Sequence, residues 1–129
     1  MPGEEDLARM LASLDVEQRP GTFTFVHGHW PGLRAAAHAI VEEAEGPTLV
    51  VEVDEAVAVG APVEFTASWL TLQVWSSLAS TGLTAAVSAA LAAEGIACNT
   101  IAGYYHDHLL VPADRTDDAV RVLRALSSR

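Results

Sequence analysis

The chain has 129 residues, half of them apolar, with 17 acidic and seven basic residues and a formal charge of −10. That length and apolar content suit one domain with a real core, or two small intertwined halves, and exclude a disordered chain. The acidity excludes nucleic acid and an anionic membrane surface as expected partners: both need a basic stripe, and the basic residues here are all arginines, four of them within positions 115–129.

Residues 4–14 are expected to form an amphipathic helix, with Leu7, Met10, Leu11 and Leu14 on one stripe and Glu4, Glu5 and Asp6 in the first turn. Pro20-Gly21 reads as a turn, followed by a strand over Thr22–His27 and a loop at His27–Gly32. Arg34–Glu45 is ambiguous: propensity favours a helix, while the alternation of Ala37, Ala39 and Val41 with Ala36, His38 and Ile40 permits a strand. Glu45-Gly46-Pro47 is a tight turn into a strand at Thr48–Asp54, and one helical turn fits Asp54–Gly60. The composition changes near residue 60, which divides the chain into 1–60 and 61–129.

In the second part, Trp69–Trp75 alternates strictly. Leu70, Leu72 and Val74 suit packing under helices, while Trp69, Thr71, Gln73 and Trp75 face the other way. Residues 82–94 form the strongest helix, with Thr81 as its cap, Leu83, Val87 and Leu91 on its buried face and Gly95 as its stop. Ile96–Ala102 and His106–Val111 are strands joined by a turn at Gly103-Tyr104-Tyr105. A last helix spans 115–126, capped by Asp114 or Thr116, with Ala119, Val122, Leu123 and Leu126 buried. Strand, helix, hairpin and helix make an α+β, ferredoxin-like βαββα unit with an antiparallel sheet.

Four constellations could carry chemistry. The strand-to-helix turn combines Gly82, where a ligand can approach the backbone, with the free N–H groups of a helix start, and Ser76, Ser77, Thr81, Leu83 and Thr84 surround it. Such a corner suits a carboxylate, and it equally suits an ordinary capped helix. Asn99, inside a strand taken to neighbour Trp69–Trp75, should be hydrogen-bonded to a ligand or to a sheet edge. His106 and His108 form an H-x-H pair on a strand, matched by His27 and His29 in a loop. Either pair would need a third ligand to hold a transition metal, or could act in acid–base chemistry. Cys98 has no CxxC partner and reads as a buried, inert thiol. No nucleophile elbow, P-loop, dinucleotide fingerprint or HExxH motif is present, so no cofactor and no catalytic residue are expected. The acidic N-terminus lacks the apolar core of a signal peptide, so a cytoplasmic location is expected.

The stretches EFTASWLTLQVWSSL, GLTAAVSAALAAEGIACNTIAGYYHDHLLVPA and DDAVRVLRAL resemble the ACT-domain superfamily, in particular small stand-alone bacterial proteins of uncharacterised role. PGTFTFV and EEAEGPTLVVE match more loosely. The resemblance implies two ACT-like halves, the first degenerate, with helices on one face of the sheet. It makes EEAEGPTLV the turn of a hairpin, which tips Arg34–Glu45 towards a strand. ACT domains bind amino acids or similar effectors between domains, at a glycine after the first strand that faces the start of the second. That correspondence falls on Gly82, with Leu83 and Thr84 after it, and on Asn99, although Ala97 and Cys98 intervene between Ile96 and Asn99. The implied protein is a non-enzymatic sensor of an amino-acid-like small molecule, acting as a homodimer.

Overall fold

The computed structural model describes residues 6–74 and 81–127. Among them the chain runs α1 (Leu7–Ser13), β1 (Asp15–His27), a 3-10 turn at Arg34–Ala36, β2 (Ala39–Glu43), β3 (Gly46–Glu52), α2 (Val53–Ala58), β4 (Ala67–Gln73), α3 (Leu83–Ala93), β5 (Asn99–Ala102), β6 (Asp107–Pro112), a second 3-10 turn at Ala113–Arg115 and α4 (Thr116–Leu126). The strands form one antiparallel sheet in the order β2-β3-β1-β4-β6-β5. Each half of that order holds the same sequence of parts: a strand, a helical segment, a hairpin and a helix.

The long strand β1 belongs to both halves. Its first residues pair with β4, from Asp15 opposite Gln73 to Arg19 opposite Trp69, and its last pair with β3, from Phe23 opposite Glu52 to His27 opposite Thr48. The register shifts between Arg19 and Phe23. Pro20-Gly21 lies in that gap, so the expected turn is instead an irregularity inside a continuous strand: proline withholds an N–H from the ladder, and the chain kinks without reversing. Among the described residues no strand follows α4 to close the run that starts at β4 as a βαββαβ unit. β1 lies beside β4 on the side away from β6, where it completes the sheet.

Alternation along β4 divides the core. Leu70, Leu72 and Val74 pack with Val16, Leu109 and Val111 beneath Met10 of α1, Leu83, Val87 and Leu91 of α3, and Ala119, Leu123 and Leu126 of α4. Val26, Leu49 and Val51 pack beneath Ala56 of α2, together with Leu33 and Ala61. The opposite face carries Phe23, Val50, Ala67, Trp69 and Leu110. Among the described residues, helices therefore cover one face only. Each fully buried leucine in these layers contributes about 1.5–3 kcal/mol by leaving water.

The ends of the helices follow local chemistry, with two corrections. Asp6 caps α1 by accepting the Arg9 N–H at 3.1 Å. α3 ends in a Schellman arrangement: the Ile96 N–H reaches Leu91 O and the Gly95 N–H reaches Ala92 O, both at 3.0 Å. Its first turn is capped by Gly82, with no side-chain bond, rather than by Thr81. Neither Asp114 nor Thr116 caps α4. The Thr116 hydroxyl instead donates to Ala113 O at 2.8 Å and meets the Ser68 hydroxyl beneath the helix. Arg34–Glu45 divides into a 3-10 turn and the strand β2, so helix propensity is satisfied only in its first residues and hairpin pairing with β3 takes the remainder.

Candidate functional site

Two corners of the fold have the same topology, the turn after β4 and the turn after β1. Each turns on a glycine with positive φ, 97° at Gly82 and 103° at Gly28. At both positions a side chain would be strained, because L residues disfavour that backbone region.

At the first corner, Leu83 is buried in the core beneath α3, and Thr81 and Thr84 are exposed. Ser76, Ser77 and Trp75 lie outside the described residues. The Leu7 side chain of α1 presses on Gly82: a Cβ there would sit 3.0 Å from Leu7 Cδ2. Asn99 begins β5, opposite Leu110, and so projects from the face without helices. β6 separates β5 from β4, which corrects the expected neighbourhood of Asn99 and Trp69–Trp75. Gly82 starts a helix on one side of the sheet and Asn99 lies on the other.

The second corner is open. Gly28, His29, Trp30, Pro31 and Arg34 line a cavity of about 350 Å³ whose floor is Pro47 and Leu49 of β3. The nearest atom to a Cβ placed on Gly28 would be Trp30 Nε1, 3.9 Å away. The indole N–H donates to His27 O at 3.1 Å, and His27 Nε2 pairs with Glu45 O at 2.7 Å. These bonds clamp the loop between β1 and the β2–β3 hairpin. Arg34 pairs with Glu42 across an exposed surface. The sequence already carried the signal for this corner. His27-Gly28-His29-Trp30 places a glycine directly after a strand, whereas Gly82 stands at the start of α3, but the segment reads as a plain loop while the first half is taken as degenerate.

The histidine pairs do not converge. His108 lies beside Thr71, which pairs with Glu17, whereas His27 closes the far end of β1. The levels of Glu17 and His27 are roughly 30 Å apart at the usual rise of about 3.3 Å per residue. Among the described residues no three His, Cys, Asp or Glu side chains gather as a metal would need. His108 is instead part of a network on the open sheet face. Its Nδ1 accepts the Trp69 indole N–H at 3.2 Å and lies 2.9 Å from the Thr71 hydroxyl, which places the ring proton on Nε2. Burial pushes the His108 pKa down, with help from the Arg19 and His106 charges and against Asp107. The guanidinium of Arg19 lies 4.0 Å over the Trp69 ring and donates to His38 Nδ1 at 2.9 Å. Trp69, on the side of β4 expected to face away from the helices, is therefore only 2% exposed. Burial also raises the Asp107 carboxyl pKa. Cys98 is half-buried rather than buried, and desolvation raises its thiol pKa, which favours the unreactive form.

Among the described residues no helix is long and apolar enough to cross a membrane. Among proteins with curated descriptions, none matches this chain in sequence. A Vibrio cholerae protein of unknown function, described as a possible transport protein, superposes with a TM-score of 0.84 at 35% identity, over 94% of this chain and 95% of that one. An Agrobacterium tumefaciens protein superposes with a TM-score of 0.69 at 17% identity, over 88% of this chain and 89% of that one. The ligand-free regulatory subunit of aspartate kinase from Thermus thermophilus gives 0.62 at 12% identity, over 86% of this chain and 95% of that one. These last two share the fold. ACT-domain family models match residues 2–68 and residues 64–125, one on each half of the sheet. The chain belongs to the ACT-domain family.

Proposed function

We propose that this protein is a non-catalytic regulatory module that binds a small-molecule effector at the corner after β1, and that it acts as a homodimer. The observation that carries this reading is the cavity of about 350 Å³ bounded by Gly28, Trp30 and Arg34. Its size is that of a small ligand site, and it lies at a glycine turn after a first strand, in a fold whose members bind effectors at such turns. The two halves, 1–60 and 61–129, share β1 and would respond as one body. A ligand at the first half would then be felt through the sheet by the second. The edges of β2 and β5, at the two ends of the sheet, offer unpaired backbone to a second copy.

The test is a thermal-shift screen of amino acids, their oxo acids and other small metabolites, with light scattering for the oligomeric state. Any ligand at 100 times its Kd should stabilise the folded state by about 2.7 kcal/mol. The hits should be lost in a Gly28→Val variant, whose side chain enters the corner, and kept in a Thr84→Val variant at the other corner. A blank screen, or hits that survive Gly28→Val, would remove the reading.

A further inference from the structure

The walls of the Gly28 corner define what chemistry it can take. Trp30, Pro31, Pro47 and Leu49 are apolar, and no carboxylate is among the residues that line the cavity. Two polar groups around the corner are already engaged, and the His29 imidazole, which also lines it, brings no negative charge. The Trp30 N–H is held by His27 O, and His27 Nε2 is held by Glu45 O. An ammonium group placed there would leave water for a site without a counter-charge, which is costly. A carboxylate has a partner. Arg34 uses one terminal nitrogen on Glu42, and a guanidinium has five N–H donors in a fork that suits a carboxylate. The Arg34–Glu42 pair is exposed, at 54% and 66%, so it is weak and easily rearranged.

We infer that the Gly28 corner selects a small carboxylate with an apolar aryl or branched-alkyl body and no ammonium group, over the amino acid of the same skeleton. This rests on the proposal that the corner is the effector site. The apolar body lies against Trp30, Pro31, Pro47 and Leu49, and the carboxylate meets Arg34 at the rim. An amino acid of the same size makes the same contacts but must desolvate its ammonium beside a guanidinium. Glu42 is outside the lining and already occupied by that guanidinium.

The experiment is calorimetric titration of the full chain with matched pairs that differ only in the ammonium group: 3-phenylpropanoate against phenylalanine, and 4-methylpentanoate against leucine. The acid without the ammonium should bind at least tenfold more tightly in each pair. Arg34→Gln should weaken that acid at least tenfold, because it removes a charged hydrogen bond. Glu42→Gln should not weaken it, since it frees Arg34. Phenylalanine or leucine binding as tightly as its partner, with a loss on Glu42→Gln, would overturn the inference. It would leave the effector-site reading intact, because the corner would then be reading a zwitterion through Arg34 and Glu42. Binding of none of the four compounds also overturns the inference, and the wider thermal-shift screen then decides separately whether the corner binds any effector. Both substitutions are on exposed side chains, so circular dichroism should show unchanged folding.

Discussion

The corners after β1 and after β4 have one topology and different contents. After Gly82, the eleven residues of α3 place Leu83, Val87 and Leu91 over the sheet, and Leu7 of α1 closes the remaining space. After Gly28, a loop leads to a three-residue 3-10 turn, and Leu33, 1% exposed, is that segment's fully buried anchor. Among the described residues no α-helix contributes to the lining of this second corner, and a cavity of about 350 Å³ remains beside Trp30. In a chain built from two similar units, a short 3-10 turn in place of a long helix leaves the glycine corner of one unit uncovered, and that difference is what the proposed effector site rests on.

The halves, though differently filled, share β1 and should fold as one body. Core truncation in each half is the strongest way to break it. Leu91→Ala beneath α3 and Leu49→Ala beneath α2 each remove a side chain that is at most 1% exposed, and each should cost about 2–5 kcal/mol. Because β1 pairs with both β3 and β4, either change should lower a single unfolding transition seen equally by circular dichroism and by tryptophan fluorescence. Two separated transitions would mean that the corners belong to independent domains.

The glycines test the difference in filling directly. Gly28→Ala introduces backbone strain alone, since nothing comes nearer than 3.9 Å to the new Cβ, and should cost about 1–2 kcal/mol. Gly82→Ala adds a clash with Leu7, 3.0 Å away, and should cost more. In a double-mutant cycle, Leu7→Ala should recover the excess at Gly82 and have no coupling with Gly28. Equal costs at the two glycines, or no coupling to Leu7, would show that α1 does not plug the corner.

Much of this was legible in the sequence. Strict alternation in β4 and the apolar stripes of α3 and α4 encode their buried faces, because one sheet or helix face must be covered. The hairpin at β2–β3 was legible only through family resemblance, since alanine and glutamate make Ala39–Glu43 look helical until β3 supplies its ladder. The continuity of β1 was hidden because Pro20-Gly21 is a turn signal by local chemistry, and only pairing on both sides holds the strand together through it. At the site, glycine-after-strand was readable twice, but which corner is open depends on Leu7, far away in the chain. The tertiary environment of Trp69 was equally hidden: an indole on the outward side of β4 reads as exposed until Arg19, His38 and His108 close over it.

That closure joins the halves on the face without helices, and it gives the smallest and most specific test. Arg19 and His38 come from the first half, Trp69 and His108 from the second. The Trp69 indole donates to His108 Nδ1, so the network needs a neutral imidazole. Burial lowers the pKa of His108 below its ordinary value of 6.5, and the neighbouring Arg19 and His106 lower it further. On acidification the unfolded chain takes up this proton first. The contribution of the group is therefore complete above the ordinary imidazole pKa and declines as pH falls below it, until the folded state is protonated too. Asp15 and Asp118 are held low and keep their charge across a window from pH 7 to pH 5, while Asp107, raised by burial, and the other four histidines are common to the wild type and a His108 variant, so the difference in slope between the two reports the His108 imidazole. Melting temperature measured across that window should fall with pH in the wild type. His108→Asn, whose Oδ1 takes the place of Nδ1 as acceptor for the indole but does not titrate, should have a shallower slope and a similar melting temperature at pH 7. An unchanged slope would mean that protonation of His108 does not oppose the closure of Arg19, His38 and His108 over Trp69, and that the joint between the halves rests on the β1–β4 ladder and the core beneath it.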